Sequence, residues 1–167
     1  MRYVVGVDIG IRNLGLCVHD VHTRRIVYWK NCALLPPSRR IRESENVAQV
    51  RAFLQEHAKY LDHAVRIVVE QQMRCSMKAV QWMIHISHFG AVQVIRPRDV
   101  KRHYQISASS YDANKKAAVA WARARVNERA EEFDEECIRE FLATDKKDDL
   151  ADALMLVRYV LDTYTDV

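Results

Sequence analysis

Four carboxylates in this 167-residue chain stand where buried acids could do chemistry. Asp8 closes a short apolar run, Tyr3-Val4-Val5-Gly6-Val7-Asp8, and Glu70 closes another, Val65-Arg66-Ile67-Val68-Val69-Glu70. Asp149 and Asp152 open an apolar-striped segment at i and i+3, so a helix there projects both from one face. Asp148 adjoins them. Acids at strand ends and at a helix start can meet at one edge of a sheet. Clustered carboxylates repel one another unless cations lie between them, and oxygen-only donors select hard cations such as Mg²⁺ or Mn²⁺. Two such ions about 3.5–4 Å apart form a phosphoryl-transfer site, one activating water and the other stabilising the leaving oxygen. Each acid alone also suits a structural part, as a turn residue, a cap or a dipole-favoured first-turn residue. The ordered set favours chemistry.

The elements that must position these acids follow from hydrophobic spacing. Tyr3–Asp8, Leu14–His19 and Ile26–Trp29 read as three strands close enough in sequence for an antiparallel meander. Pro36-Pro37-Ser38 breaks the pattern and opens a basic loop with Arg39, Arg40 and Arg42. Ser44 then offers an N-cap to a helix striped by Val47, Val50, Leu54, Ala58 and Leu61. Val65–Val69 is a fourth strand, 73–89 a helix, and Ala91–Ile95 a fifth strand closed by Pro97. Residues 114–142 are helix-rich, and 148–163 forms a last helix with Leu150, Ala153, Leu154, Val157 and Leu161 on one stripe. This predicts an α/β fold in one domain over 1–167: a mixed five-stranded sheet, three antiparallel strands then parallel ones, flanked by helices. The 73–89 helix is apolar on two sides (Met77, Val80 and Ile84; Met83 and Ile86), which fits either full burial or one side on the sheet and one on a partner.

Composition narrows the function classes. No apolar run approaches the ~20 residues of a bilayer span. Asp8 interrupts the N-terminal apolar stretch that a signal peptide needs, and no Arg/Ser-rich presequence precedes Tyr3, so the expected location is cytoplasmic. Cys17, Cys32, Cys75 and Cys137 form no CxxC pair and fit no zinc spacing, which reads as four reduced thiols. The net charge of +4 conceals a partition: residues 96–129 hold nine Lys/Arg against three Asp/Glu, and residues 130–152 three against ten. His85 and His88 sit at i and i+3 without a nearby third ligand, so they read as structural or surface residues. His103 lies in the basic stretch, where a proton-transfer part and an ordinary surface part are both open. Three of the four glycines, Gly6, Gly10 and Gly15, cluster around Asp8, as expected where backbone turns tightly beside a metal site. With only Gly90 elsewhere, the glycine-rich nucleotide cradles of actin-like ATPases and sugar kinases are excluded.

Val5-Gly6-Val7-Asp8-Ile9-Gly10-Ile11-Arg12-Asn13-Leu14-Gly15 resembles the opening motif of the RuvC-type Holliday-junction resolvases of the ribonuclease H-like superfamily. Val68-Val69-Glu70-Gln71-Gln72 is similar to their second motif, and Asp148-Asp149-Leu150-Ala151-Asp152-Ala153-Leu154 to their C-terminal one. The motifs stand in family order from Tyr3 to about Tyr159, and the Lys-Lys-Asp-Asp form at 146–149 resembles resolvases of poxviruses and other large DNA viruses. The resemblance implies Asp8, Glu70, Asp149 and Asp152 as ligands of two Mg²⁺ ions, with Mn²⁺ as a substitute; Asp148 does not match the family spacing. It implies lysines near the scissile phosphate, for which Lys101 and Lys116 fit best, with Lys115 the alternative to Lys116. It also implies a homodimer formed through the 73–89 helix that nicks two strands of a four-way or related branched DNA symmetrically. Two other readings compete: a ribonuclease H acting on RNA–DNA hybrids, and an inert branched-DNA binding module.

Overall fold

The computed structural model describes residues 1–10, 12–34, 43–106 and 110–164, with backbone alone at 43–46. The expected basic loop at Arg39, Arg40 and Arg42 and the expected Ser44 cap lie outside the described residues and side chains. Five strands form one sheet: β1 (Tyr3–Asp8), β2 (Leu14–Asp20), β3 (Arg25–Cys32), β4 (Ala64–Glu70) and β5 (Val92–Ile95). As the sequence predicts, β1, β2 and β3 are antiparallel and β4 and β5 run parallel to β1; the spatial order is β3-β2-β1-β4-β5.

Seven helices accompany it: α1 (Glu43–Glu56), α2 (Ala58–Leu61), α3 (Cys75–Ser87), α4 (Pro97–His103), α5 (Tyr111–Glu128), α6 (Glu135–Ala143) and α7 (Lys147–Thr163). The expected stripe from Val47 to Leu61 is two helices, broken at His57, and Val47 is exposed while Phe53 and Tyr60 are buried in its place. The helix-rich stretch is also divided, with a 3₁₀ turn at Ala130–Glu132 between α5 and α6. Helix α4 has no counterpart in the sequence reading, because seven residues are too few for a clear apolar period. Pro97 at its first position starts it as well as closing β5.

Strand alternation decides what faces what. Tyr3, Val5 and Val7 of β1 and Ile67 and Val69 of β4 pack with Phe53, Leu61, Val80 and Ile84 of α1–α3. Val4, Cys17 and Val68 pack on the other face with Leu150, Ala153, Leu154 and Val157 of α7. Gly6 and Asp8 share Val4's face, and Glu70 shares Val68's. α7 is buried along Leu150–Val157 apart from Asp152.

The glycines do something other than expected. Of the glycines, Gly90 alone has a positive φ (95°); Gly6 and Gly15 lie inside strands. A methyl group at Gly6 would strike the Ala153 carbonyl and come within 2.7 Å of Val157 Cγ2. One at Gly15 would strike the Asp149 carbonyl, 2.8 Å from its carbon. It is their lack of bulk, not their backbone freedom, that lets α7 lie directly on β1 and β2. Trp29 of β3 adds a tie: its indole N–H donates to the Leu150 carbonyl at 2.9 Å, and its ring stacks on Phe141 at 4.5 Å. Gly6→Ala should therefore lift α7 from the sheet. Overpacking of this kind costs about 1–3 kcal/mol, or roughly 3–10 °C in Tm for a chain of this length. A thermal melt of the variant within a degree of the unaltered protein would contradict this account.

Candidate active site

The register brings the acids together. Asp8 is the last residue of β1 and pairs across to Gly15. Val7 pairs in parallel with Val69, which sets Glu70 at the matching end of the adjacent strand on the same face. α7 begins against that end, so Asp149 and Asp152, one helical turn apart, point into the same space. Asp8, Glu70, Asp149 and Asp152 all line one cleft of about 450 Å³ with Lys101 and Lys115. The local supports are hydrogen-bonded. Gln72 lies buried just past β4, where its side-chain amide donates to the Glu70 carbonyl at 3.2 Å and its backbone N–H donates to Gln81 Oε1 at 2.9 Å. Asn31 donates to the Lys146 carbonyl at 2.9 Å and holds the approach to α7. Trp29, Asn31 and Gln72 escape sequence reading because their partners lie in distant elements or carry no motif of their own.

The electrostatics are those of crowded, desolvated anions. Burial pushes Asp8 well up, and Glu70, Asp152 and Asp149 add to the rise. Burial and then Asp152 push Glu70 to about 7. Burial and then Asp148 push Asp149 to about 6, and burial raises Asp152. Lys101 pulls Asp8, Glu70 and Asp152 in the opposite direction. Lys115 does the same at Asp149 and Asp152, and the carboxyls stay raised. Among the described residues no three side chains converge closely enough to grip an ion. The donor set nevertheless fits a hard divalent cation: it is all oxygen, it is gathered in one cleft, and its negative charge exceeds that of its neighbours.

The lysines fall differently from expectation. Lys101, in the last turn of α4, lines the cleft. Lys116 does not; it lines a neighbouring groove, whereas Lys115 lines both. Consecutive helix residues point about 100° apart, so only one of the pair can face the acids. Lys115 donates to Asp148, which burial pushes up but that ammonium holds below the usual carboxylate range. His88 caps the end of α3 and meets Asp62 at 3.3 Å, while His85 packs edge-on against Trp82 and Phe89. His103 lies away from the acids, 3.6 Å from Asp162 and against the ring of Tyr159.

A cavity of about 550 Å³ around His19, Arg25 and Arg158 gathers no such set of acids, and Arg25 and Arg158 are already paired with Asp134 and Glu132.

Residues 2–163 match the family model described as Poxvirus A22 protein. The chain belongs to that family. Its members are Holliday-junction resolvases of ribonuclease H-like fold, and the chain is a nuclease of this kind. Solved structures agree on the fold. The Fowlpox virus resolvase in complex with substrate Holliday-junction DNA superposes with a TM-score of 0.66 at 15% identity, covering 96% of this chain and 97% of that one. The Fowlpox virus Holliday junction resolvase alone gives 0.64 at 15% identity, over 96% and 98%. T. thermophilus RuvC in complex with a Holliday-junction substrate gives 0.57 at 18% identity, over 99% and 98%. No curated protein sequence matches the chain. RuvC-like resolvases depend on divalent metal, and no helix among the described residues is long and apolar enough to cross a membrane.

The raised carboxyls give a signed pH effect. Glu70 binds its proton more tightly folded than unfolded, so its contribution to stability is full below about pH 4.5 and is lost as pH rises through about 7. Asp149 acts in the same sense from about 3.8 to about 6. A divalent cation relieves the same repulsion. Adding Mg²⁺ to protein in EDTA should raise Tm by several degrees at pH 8 and by much less at pH 5; equal gains at both would contradict it.

Proposed function

We propose that this protein resolves Holliday and related branched DNA junctions by paired symmetric nicks, acting as one nuclease domain per protomer of a homodimer. The observation that carries the reading is the convergence of four carboxylates from three elements on one cleft beside Lys101, in a chain of the resolvase family. Asp8, Glu70, Asp149 and Asp152 would hold the two ions. What two bound Mg²⁺ ions supply there, or Mn²⁺ in their place, is activation of water and neutralisation of charge on the phosphate. Lys101 faces the acids across the cleft and offsets charge on the scissile phosphate, and Lys115, rather than Lys116, does so from α5. Hydrolysis in line with the 3′-oxygen leaves 5′-phosphate and 3′-hydroxyl ends that can be ligated. The work belongs to viral recombination and concatemer processing at a cytoplasmic replication site. Recognition rests on junction shape, since phosphate contacts position a protein without reading sequence.

The dimer reading rests on α3. Val80 and Ile84 are buried against the sheet, while Trp82 and Ile86 are exposed at i and i+4 and Phe89 is exposed just past the helix end. A twofold dimer through these side chains gives the two matched sites that a twofold junction requires. Ile86→Asp with Phe89→Asp should yield a monomer by sedimentation and replace paired nicks with single ones.

For the chemistry, a synthetic four-way junction is incubated with the protein in Mg²⁺ or EDTA. Asp152→Asn should lower cleavage by more than about 100-fold, as loss of a direct metal ligand does, and retain junction binding. Binding without paired symmetric nicks by the unaltered protein would leave an inert binding module. Faster cutting of RNA–DNA hybrid than of the junction would make it a ribonuclease H.

A further inference from the structure

A cationic groove abuts the acid cleft, and apart from Lys115 its cations have no part in the chemistry above. Helix α5 and the turn entering α7 enclose about 660 Å³ lined by Lys115, Lys116, Arg123, Lys146 and Lys147. Asp112, Asp145 and Asp148 also line it, leaving a positive balance. Two of these charges are engaged: Lys115 donates to Asp148, and Lys147 donates to the Thr144 carbonyl. Among the described residues no ion pair engages Lys116, Arg123 or Lys146, and all three are exposed. The groove and the cleft are continuous, since Lys115 lines both. Lys116 and Arg123 stand seven residues apart on one face of α5, about 10 Å along its axis. That span suits neighbouring phosphates of one strand, which lie farther apart than the ~3.4 Å that each nucleotide advances along the helix axis.

We infer that this groove is a second phosphate subsite, holding the sugar–phosphate backbone of the cleaved strand beside the scissile bond. It rests on the resolvase reading and extends it. Lys116, Arg123 and Lys146 hold successive phosphates. Asp148 is the internal counterion that occupies Lys115 until a DNA phosphate takes its place, which gives a part to the one acid of the Lys-Lys-Asp-Asp sequence outside the proposed ligand set.

The test is the salt dependence of junction binding, measured between 50 and 200 mM salt in the cleavage-blocked Asp152→Asn protein. Adding Lys116→Ala and Arg123→Ala together should weaken binding roughly tenfold and reduce the slope of log affinity against log salt by about 2. Adding Arg139→Ala, an exposed charge on α6 outside cleft and groove, should do neither. Adding Asp148→Asn should tighten binding roughly two- to fivefold by releasing Lys115. If the Lys116/Arg123 variant matches the Arg139 variant in affinity and slope, the subsite is overturned, while junction binding itself keeps the resolvase reading intact. Weaker binding by the Asp148 variant overturns the exchange at Lys115. Failure of the unaltered protein to bind any junction overturns the resolvase reading and this inference together.

Discussion

The close seating of α7 on the sheet is the contact on which the site depends. Two of its ligand candidates ride on that helix and two on the strands beneath. Their separation is therefore set by how near a helix backbone can come to β1 and β2. Side chains at positions 6 and 15 would hold it off, because Gly6 meets the Ala153 carbonyl and Gly15 the Asp149 carbonyl. The second contact is the more telling, since Asp149 is itself a ligand candidate and Gly15 pairs with Asp8. One glycine thus fixes the distance between two of the acids. Trp29 of β3 holds the same turn of α7 on the same face of the sheet through the Leu150 carbonyl.

That seating also explains the electrostatic cost. Burying four carboxylates together opposes folding unless protons or cations accompany them, and the upward shifts of Glu70 and Asp149 are the signature. Crowding and hydrophobic burial are coupled here: Leu150, Ala151, Ala153 and Leu154, which alternate with the acids along α7, are fully buried. The apolar face of α7 drives the packing that forces its acidic residues inward.

Much of this was legible in the sequence. The five strands, their antiparallel and parallel parts, and the placement of Asp8, Glu70, Asp149 and Asp152 follow from apolar runs that end in acids and from an i, i+3 pair at a helix start. The glycine cluster was visible too, but its physical cause was not. Spacing alone cannot separate a glycine that turns from one that makes room, and the difference emerges only once α7 lies across the strands. Lys115 against Lys116 is the same kind of question. Neighbours in sequence have identical composition cues, and helix phase decides between them only when the start of α5 at Tyr111 is known. Helix α4, which carries Lys101, is too short to announce itself by period.

The charge partition along the chain acquires a spatial meaning from these positions. The acidic stretch 130–152 does not form one patch. Its last members turn inward at the cleft, Glu132 is taken up by Arg125 and Arg158, and Glu136 by Lys30. The basic stretch 96–129 is spent less fully, leaving Lys116 and Arg123 outward on α5 while Lys101 and Lys115 face the acids. A polyanion approaching the cleft therefore meets cations first and carboxylates last. That order is what a phosphodiester substrate requires, because steering acts at a distance while metal-dependent chemistry acts only at contact. Lys115 stands at the boundary of the two regions, and its bond to Asp148 keeps a charge of each sign at the point where the two surfaces meet.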